Sequence, residues 1–231
     1  LSGMSYDSVS FSFASQDVSP FDVYFKPDGL KMFLVGAQYE KVYQYNLSTA
    51  WDISTASYSN VSFSIAGQDT HANGIDFKPD GTFMYIAGDA NNKFFRYALS
   101  TAWDITTASY DMQKSITEDG NPGDNRFNDD GTKLYMSGKQ GNKIYQYNLS
   151  TAWAISTASH STTNQLDSSS ETTGDPMGFD IDPSGETLIV GDDGTDAIYH
   201  YNLSTPWELS TATYSSSSFS ISAQSARLWA M

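Results

Sequence analysis

Residues 45–58 read YNLSTAWDISTASY, and three further stretches repeat them closely: YALSTAWDITTASY at 97–110, YNLSTAWAISTASH at 147–160 and YNLSTPWELSTATY at 201–214. The tryptophans inside them, Trp51, Trp103, Trp153 and Trp207, are 52, 50 and 54 residues apart. A second landmark keeps step. Gly29, Gly81, Gly131 and Gly185 each end a PDG, DDG or PSG turn and show the same three spacings. Two landmarks in one register define four repeat units of roughly 50 residues, the period of a propeller blade.

Each unit parses into four short strands. The first runs into the Gly turn, as in PFDVYFK at 20–26 and ANGIDFK at 72–78, and Asp-Gly chemistry suits a tight hairpin there. The second is a continuous apolar run, MFLV at 32–35 or MYIA at 84–87, as expected for a strand buried on both faces. The third alternates (Ile144, Gln146 and Asn148 against Tyr145, Tyr147 and Leu149), and the fourth carries alternating serines, as at 58–65, which suits a wet outer edge. No stretch keeps a 3.6-residue apolar period over three turns. The expected fold is therefore an all-β β-propeller of four antiparallel four-stranded blades in one domain, with repeats over 20–65, 72–116, 122–166 and 175–221. The repeated Trp is expected to wedge between neighbouring blades.

The count of strands is uneven. Residues 6–13 (YDSVSFSF) match the fourth strand at 58–65, so an extra outer strand is expected over 5–13, and Arg227–Met231 runs on toward a further first strand. Five outer strands against four sets of inner ones point either to an excerpt of a longer array or to a ring completed by a second copy of the chain.

Composition excludes several classes of function. Twelve basic and 27 acidic residues in 231 leave a net charge of −15, which repels nucleic acid. There is no Cys, hence no disulfide framework, thiolate metal site or cysteine nucleophile. No apolar run approaches the roughly 18 residues of a membrane-spanning helix, so membrane insertion is not expected.

In a propeller, the loops entering each first strand share a rim with the loops between second and third strands, and that rim is the default ligand site. Residues there that break the repeat are the best candidates. His71, Asn121 and Asp175 align with Ser19; Asp89, Asn92, Asn142 and Asp192 stand in the second loop set; Arg96 and His200 replace the Gln44 and Gln146 of other units. Asp17, Asp69 and Asp119 recur at one slot, where oxygen ligands would favour Ca2+; the alternative is that they cap turns. The three histidines, His71, His160 and His200, lie in different units, and no nucleophile-elbow motif is present.

The unit as a whole, with its FKPDG turn and LSTAWDISTASY segment, resembles repeats of tail-fibre and other structural proteins of marine bacteriophages, and more loosely the YVTN and NHL propeller repeats. That resemblance implies a module on a virion or extracellular surface with no catalytic residues. The leading expectation is thus a non-catalytic binding or structural propeller that recognises glycan or protein. The alternatives are a Ca2+-dependent hydrolase or lactonase at the channel mouth, and a multivalent lectin with sites between blades.

Overall fold

A computed structural model of the chain describes residues 3–224, and the continuation expected over Arg227–Met231 lies outside them. The four units are four antiparallel sheets. The first blade holds β1 (Pro20–Phe25), β2 (Lys31–Gly36), β3 (Lys41–Leu47) and β4 (Ala56–Ser64); the second holds β5 (Ala72–Phe77), β6 (Phe83–Gly88), β7 (Lys93–Leu99) and β8 (Ala108–Ser115). The third holds β9 (Pro122–Phe127), β10 (Lys133–Gly138), β11 (Lys143–Leu149) and β12 (Ala158–Asp167), and the fourth β13 (Pro176–Ile181), β14 (Thr187–Asp192), β15 (Ala197–Leu203) and β16 (Ala212–Ser220). Strands pair in sequence order within each blade, so the chain is a β-propeller as its repeats predict. Second strands are buried on both faces, from Met32 to Gly36 in β2 for instance, while outer strands alternate between half-buried and exposed. Among the described residues, no helix is long and apolar enough to cross a membrane.

The two sequence landmarks touch. In every blade the glycine of the hairpin turn precedes the tryptophan by 22 residues, and the Trp backbone N–H donates to the Gly carbonyl, at 3.0 Å for Trp51 and Gly29. The turn glycines have φ of +70 to +75°, and a Cβ at any of them would overlap the indole of its own blade. Glycine is thus required twice, for the left-handed backbone and for the close approach. The tryptophans also sit at positive φ, a costly conformation for a bulky residue, held by this bond and by the ring contacts around it.

Those ring contacts join the blades. Trp103 stacks on Tyr24 and Phe33 of the first blade and on Phe77 of its own, at 6.1, 6.3 and 5.5 Å. Trp153 reaches back to Tyr85 of the second blade, and Trp207 to Tyr135 of the third. Tyr85 and Tyr135 each donate a hydroxyl hydrogen bond to the Trp carbonyl of the following blade. Nearer the axis, an inner-strand carboxylate accepts a backbone N–H from the next blade in three successive cases: Asp22 from Ile75 at 2.8 Å, Asp76 from Phe127 at 2.7 Å and Asp124 from Phe179 at 3.3 Å. The Arg126 guanidinium bridges Asp22 (3.1 Å) and Asp124 (2.8 Å). Burial pushes Asp76 up to about 7 although Arg126 and two backbone donors oppose the shift. Such a network resists loss of one partner more than it adds net stability, because an unpaired buried charge is what costs most.

The two end blades depart from the expected pattern. Trp51 remains 59 % exposed, touching Phe25 of its own blade, so the wedge holds for the other three tryptophans and not for this one. On the opposite end, Ile189, Ile198 and His200 are only half-buried, whereas their equivalents facing a following blade (Phe33, Val42 and Gln44) are buried. Residues 5–13 form no ladder strand in the described structure, correcting the expected extra outer strand. They nevertheless lie over the first blade, where Phe11 and Phe13 meet Tyr45 edge-on at 5.5 and 5.4 Å. Phe63 meets Tyr97 in the same way one blade further on.

The contrast between tryptophans is testable. Trp103→Ala should destabilise by about 3 kcal/mol in urea unfolding, because it opens an inter-blade gap, and Trp51→Ala by less than about 1 kcal/mol. Equal losses would contradict the wedge.

Candidate functional site

One rim of the channel is assembled from two positions per blade. The first is the residue two before the second position of each inner strand, Ser19, His71, Asn121 or Asp175. The other follows the second strand: Ala37, Asp89, Lys139 or Asp193. In every blade the backbone N–H of the second position donates to the carbonyl of the first, at 3.0 Å for Ala37 and Asp89, 3.1 Å for Lys139 and 3.3 Å for Asp193. The scaffold therefore sets these positions in facing pairs while leaving their side chains free to differ. Six of the eight, with Phe21 and Met177, line a cavity of about 360 Å3 that draws residues from all four blades.

His71 is the most organised group in it. Its Nδ1 lies 2.6 Å from Asp89 Oδ1, and Asp89 Oδ2 accepts from Asn73 Nδ2 at 3.0 Å. The Asp89 hydrogen bond raises the His71 pKa above its usual value against the opposing effects of burial and of the Lys139 charge. Burial tends to raise the Asp89 pKa, but hydrogen bonds from His71 and Asn73 prevail and lower it. With Asp89 ionised, the neutral imidazole carries its proton on Nδ1, and Nε2 has no hydrogen-bond partner among the described residues. Lys139 is 7 % exposed, lies with Nζ 5.3 Å from the Phe21 ring centroid and has no salt bridge among the described residues. Burial lowers its pKa, with Asp89, Asp175 and Asp193 pulling the other way. Asp175 is raised, first by burial and then by Asp193. Asn121 Oδ1 is buried without a partner. The arrangement offers a base, an ammonium and several acceptors around one opening.

The other expected site residues serve the scaffold. Asn92 and Asn142 have positive φ, and in the orientation that satisfies their amides they donate to Asp89 O and Gly120 O, and to Lys139 O and Gly174 O. They brace the site from behind. Arg96 lies in the joint between the second and third blades, donating to the Trp153 carbonyl at 2.8 Å and pairing with Asp111, so it is not a rim residue. His200 sits in mid-strand on β15, paired with Ile189, and is likewise away from the rim. Asp192 is fully buried, accepting from Gly174 N at 3.0 Å and from Thr195 N at 2.8 Å.

Asp17, Asp69 and Asp119 each serve their own loop, and Ca2+ at them finds no support in the structure. Each holds its own loop by accepting the backbone N–H two residues on (Ser19, His71, Asn121) at 2.8 to 2.9 Å. Among the described residues, no three His, Asp or Glu side chains converge as a metal-holding group. Each of these aspartates packs where a Cβ on Gly36, Gly88 or Gly138 would stand. The fourth blade inverts the pair: Thr173 stands at the Asp slot, Asp192 at the Gly slot, and the carboxylate reaches the same loop from the other side. That exchange explains an apparent break in the repeat without invoking a ligand.

Residues 16–206 match the family described as Lactonase, 7-bladed beta-propeller, and the chain belongs to that family. No curated protein sequence matches it. Among solved structures it is similar to a Bacteroides fragilis protein assigned as a 6-phosphogluconolactonase, with 15 % identity, TM-score 0.57 and coverage of 87 % of this chain and 55 % of that one. A Pseudomonas aeruginosa periplasmic gluconolactonase is similar at 14 % identity and TM-score 0.53, over 84 % and 52 % of the two chains. Kuenenia stuttgartiensis hydrazine synthase is also similar, at 14 % identity and TM-score 0.52, over 87 % and 49 %, so likeness at this level shows the fold alone. The chain spans about half the length of these structures. The family match overturns the expectation of a non-catalytic module that is not an enzyme, and the resemblance to phage repeats finds no counterpart in these comparisons.

The His71–Asp89 pair makes a direct prediction. In an NMR titration His71 should titrate above 6.5, and Asp89→Asn should lower its pKa by removing the hydrogen-bonded charge. Because the folded His71 pKa is raised and the Asp89 pKa lowered, the pair's contribution to stability fades as pH rises through the folded His71 value and again at acid pH as Asp89 takes up a proton. An unchanged His71 pKa in the variant would remove Asp89 as its partner.

Proposed function

We propose that the chain hydrolyses cyclic esters at this rim, with His71 as general base. The observation that carries the reading is the Asp89–His71 pair facing the same cavity as a buried lysine that has no salt bridge among the described residues. Asp89 fixes the imidazole tautomer, so Nε2 is the basic atom and faces water or substrate. A water molecule donates its proton to Nε2 as its oxygen bonds to the lactone carbonyl carbon. The carbonyl oxygen takes up negative charge, which the Lys139 ammonium, buried beside Phe21, stabilises. Collapse of the tetrahedral intermediate breaks the ring C–O bond, and the imidazolium returns its proton to the departing alkoxide. Lactone and water are thus converted into one hydroxy acid, with the histidine regenerated.

Family membership favours this reading over a binding module. The experiment is hydrolysis of D-glucono-1,5-lactone, followed by proton release above the spontaneous rate. Wild-type turnover should rise with pH through an apparent pKa above 6.5, and His71→Ala and Lys139→Met should each lower kcat/KM by about 100-fold or more. Turnover in His71→Ala equal to wild type would overturn the assignment.

A further inference from the structure

We infer that the rim selects polyhydroxylated lactones carrying no phosphate or carboxylate group. This rests on the hydrolytic reading above and narrows its substrate class. The cavity lining contains three carboxylates, Asp89, Asp175 and Asp193, against one ammonium, Lys139. Two more carboxylates stand close behind: Asp119 acts on Lys139, and Asp192 on Asp175. Lys139 is therefore already outnumbered before any ligand enters. A phosphate ester would add roughly −1.5 to −2 charges to that field.

Hydrogen-bonding capacity points the same way. Among the described residues, the Asp175 carboxylate and the buried Asn121 Oδ1 have no hydrogen-bond partner, and Asp193 spends one oxygen on the Asp175 N–H at 2.8 Å. The opening holds more acceptors than donors, the donors being Lys139 and the Asn121 Nδ2 group. A ligand that satisfies it must bring donors, and a ring bearing several hydroxyls does so without charge. A phosphate brings acceptors to a site that has one strong donor to offer, and the proposed chemistry needs that donor at the carbonyl. Phe21 and Met177 supply apolar contact for a ring face.

The test compares D-glucono-1,5-lactone with its 6-phosphate on the intact chain, together with calorimetric binding of D-gluconolactam and its 6-phosphate as non-hydrolysable probes. The expected result is a kcat/KM at least about 10-fold higher for the uncharged lactone, narrowing in high salt as charges are screened. Asp175→Asn should narrow it a further several-fold by improving the phosphorylated substrate. Equal or better turnover of the 6-phosphate would overturn the selectivity while leaving the hydrolytic reading intact. If neither lactone is turned over, tighter binding of the uncharged lactam would uphold the ligand class and discard the hydrolysis. Failure of the uncharged lactam to bind at millimolar concentration would overturn the inference itself.

Discussion

Contact between the turn glycine and the corner tryptophan is the constraint on which the rest of the molecule depends. The indole lies against a backbone that has no Cβ and reaches across to the aromatic rings of the preceding blade. One residue therefore closes its own blade and docks it on a neighbour. The hydroxyls of Tyr85 and Tyr135 and the carboxylates of Asp22, Asp76 and Asp124 then fix the angle between blades through backbone hydrogen bonds. Because these contacts recur at equivalent positions, the inner strands present their ends to a common rim at regular intervals.

The candidate site lies where this regularity does not reach. The positions His71 and Asp89, Asn121 and Lys139, and Asp175 and Asp193 are joined by the same backbone hydrogen bond in each blade, so their side chains vary at little cost to the fold. A rigid frame with interchangeable side chains can set a base, an ammonium and hydroxyl acceptors around one opening. The acidic surplus of the chain enters there as well, in Asp89, Asp175 and Asp193.

Sequence periodicity makes the strands, the blade boundaries and three of the four indole wedges legible, because identical contacts demand identical residues. His71, Asp89, Asn121 and Asp175 were also readable as repeat-breaking rim residues. Lys139 was missed, although the series Ala37, Asp89, Lys139 and Asp193 breaks the repeat as plainly as the one aligned with Ser19. Arg96 and His200 break it too, yet they lie on the flat faces of blades, so irregularity identifies a site only together with its place along the strand. Asp192 is a different case: in the fourth blade the loop-holding carboxylate comes from the position that carries Gly in the other blades, while Thr173 stands where they carry Asp, and alignment by column reads both as novelties. Trp51 carries the same motif as the other three tryptophans and is exposed nonetheless, a difference the repeat motif does not report.

The most direct measurement is to give the second and third blades the rim residues of the first, in a single variant carrying His71→Ser, Asp89→Ala, Asn121→Ser and Lys139→Ala. The account predicts a folded variant that keeps a cooperative urea transition, since the backbone hydrogen bond joining these positions uses none of the replaced side chains, together with loss of lactone hydrolysis. A variant that fails to fold, or that still hydrolyses the lactone, would contradict the separation of scaffold from site.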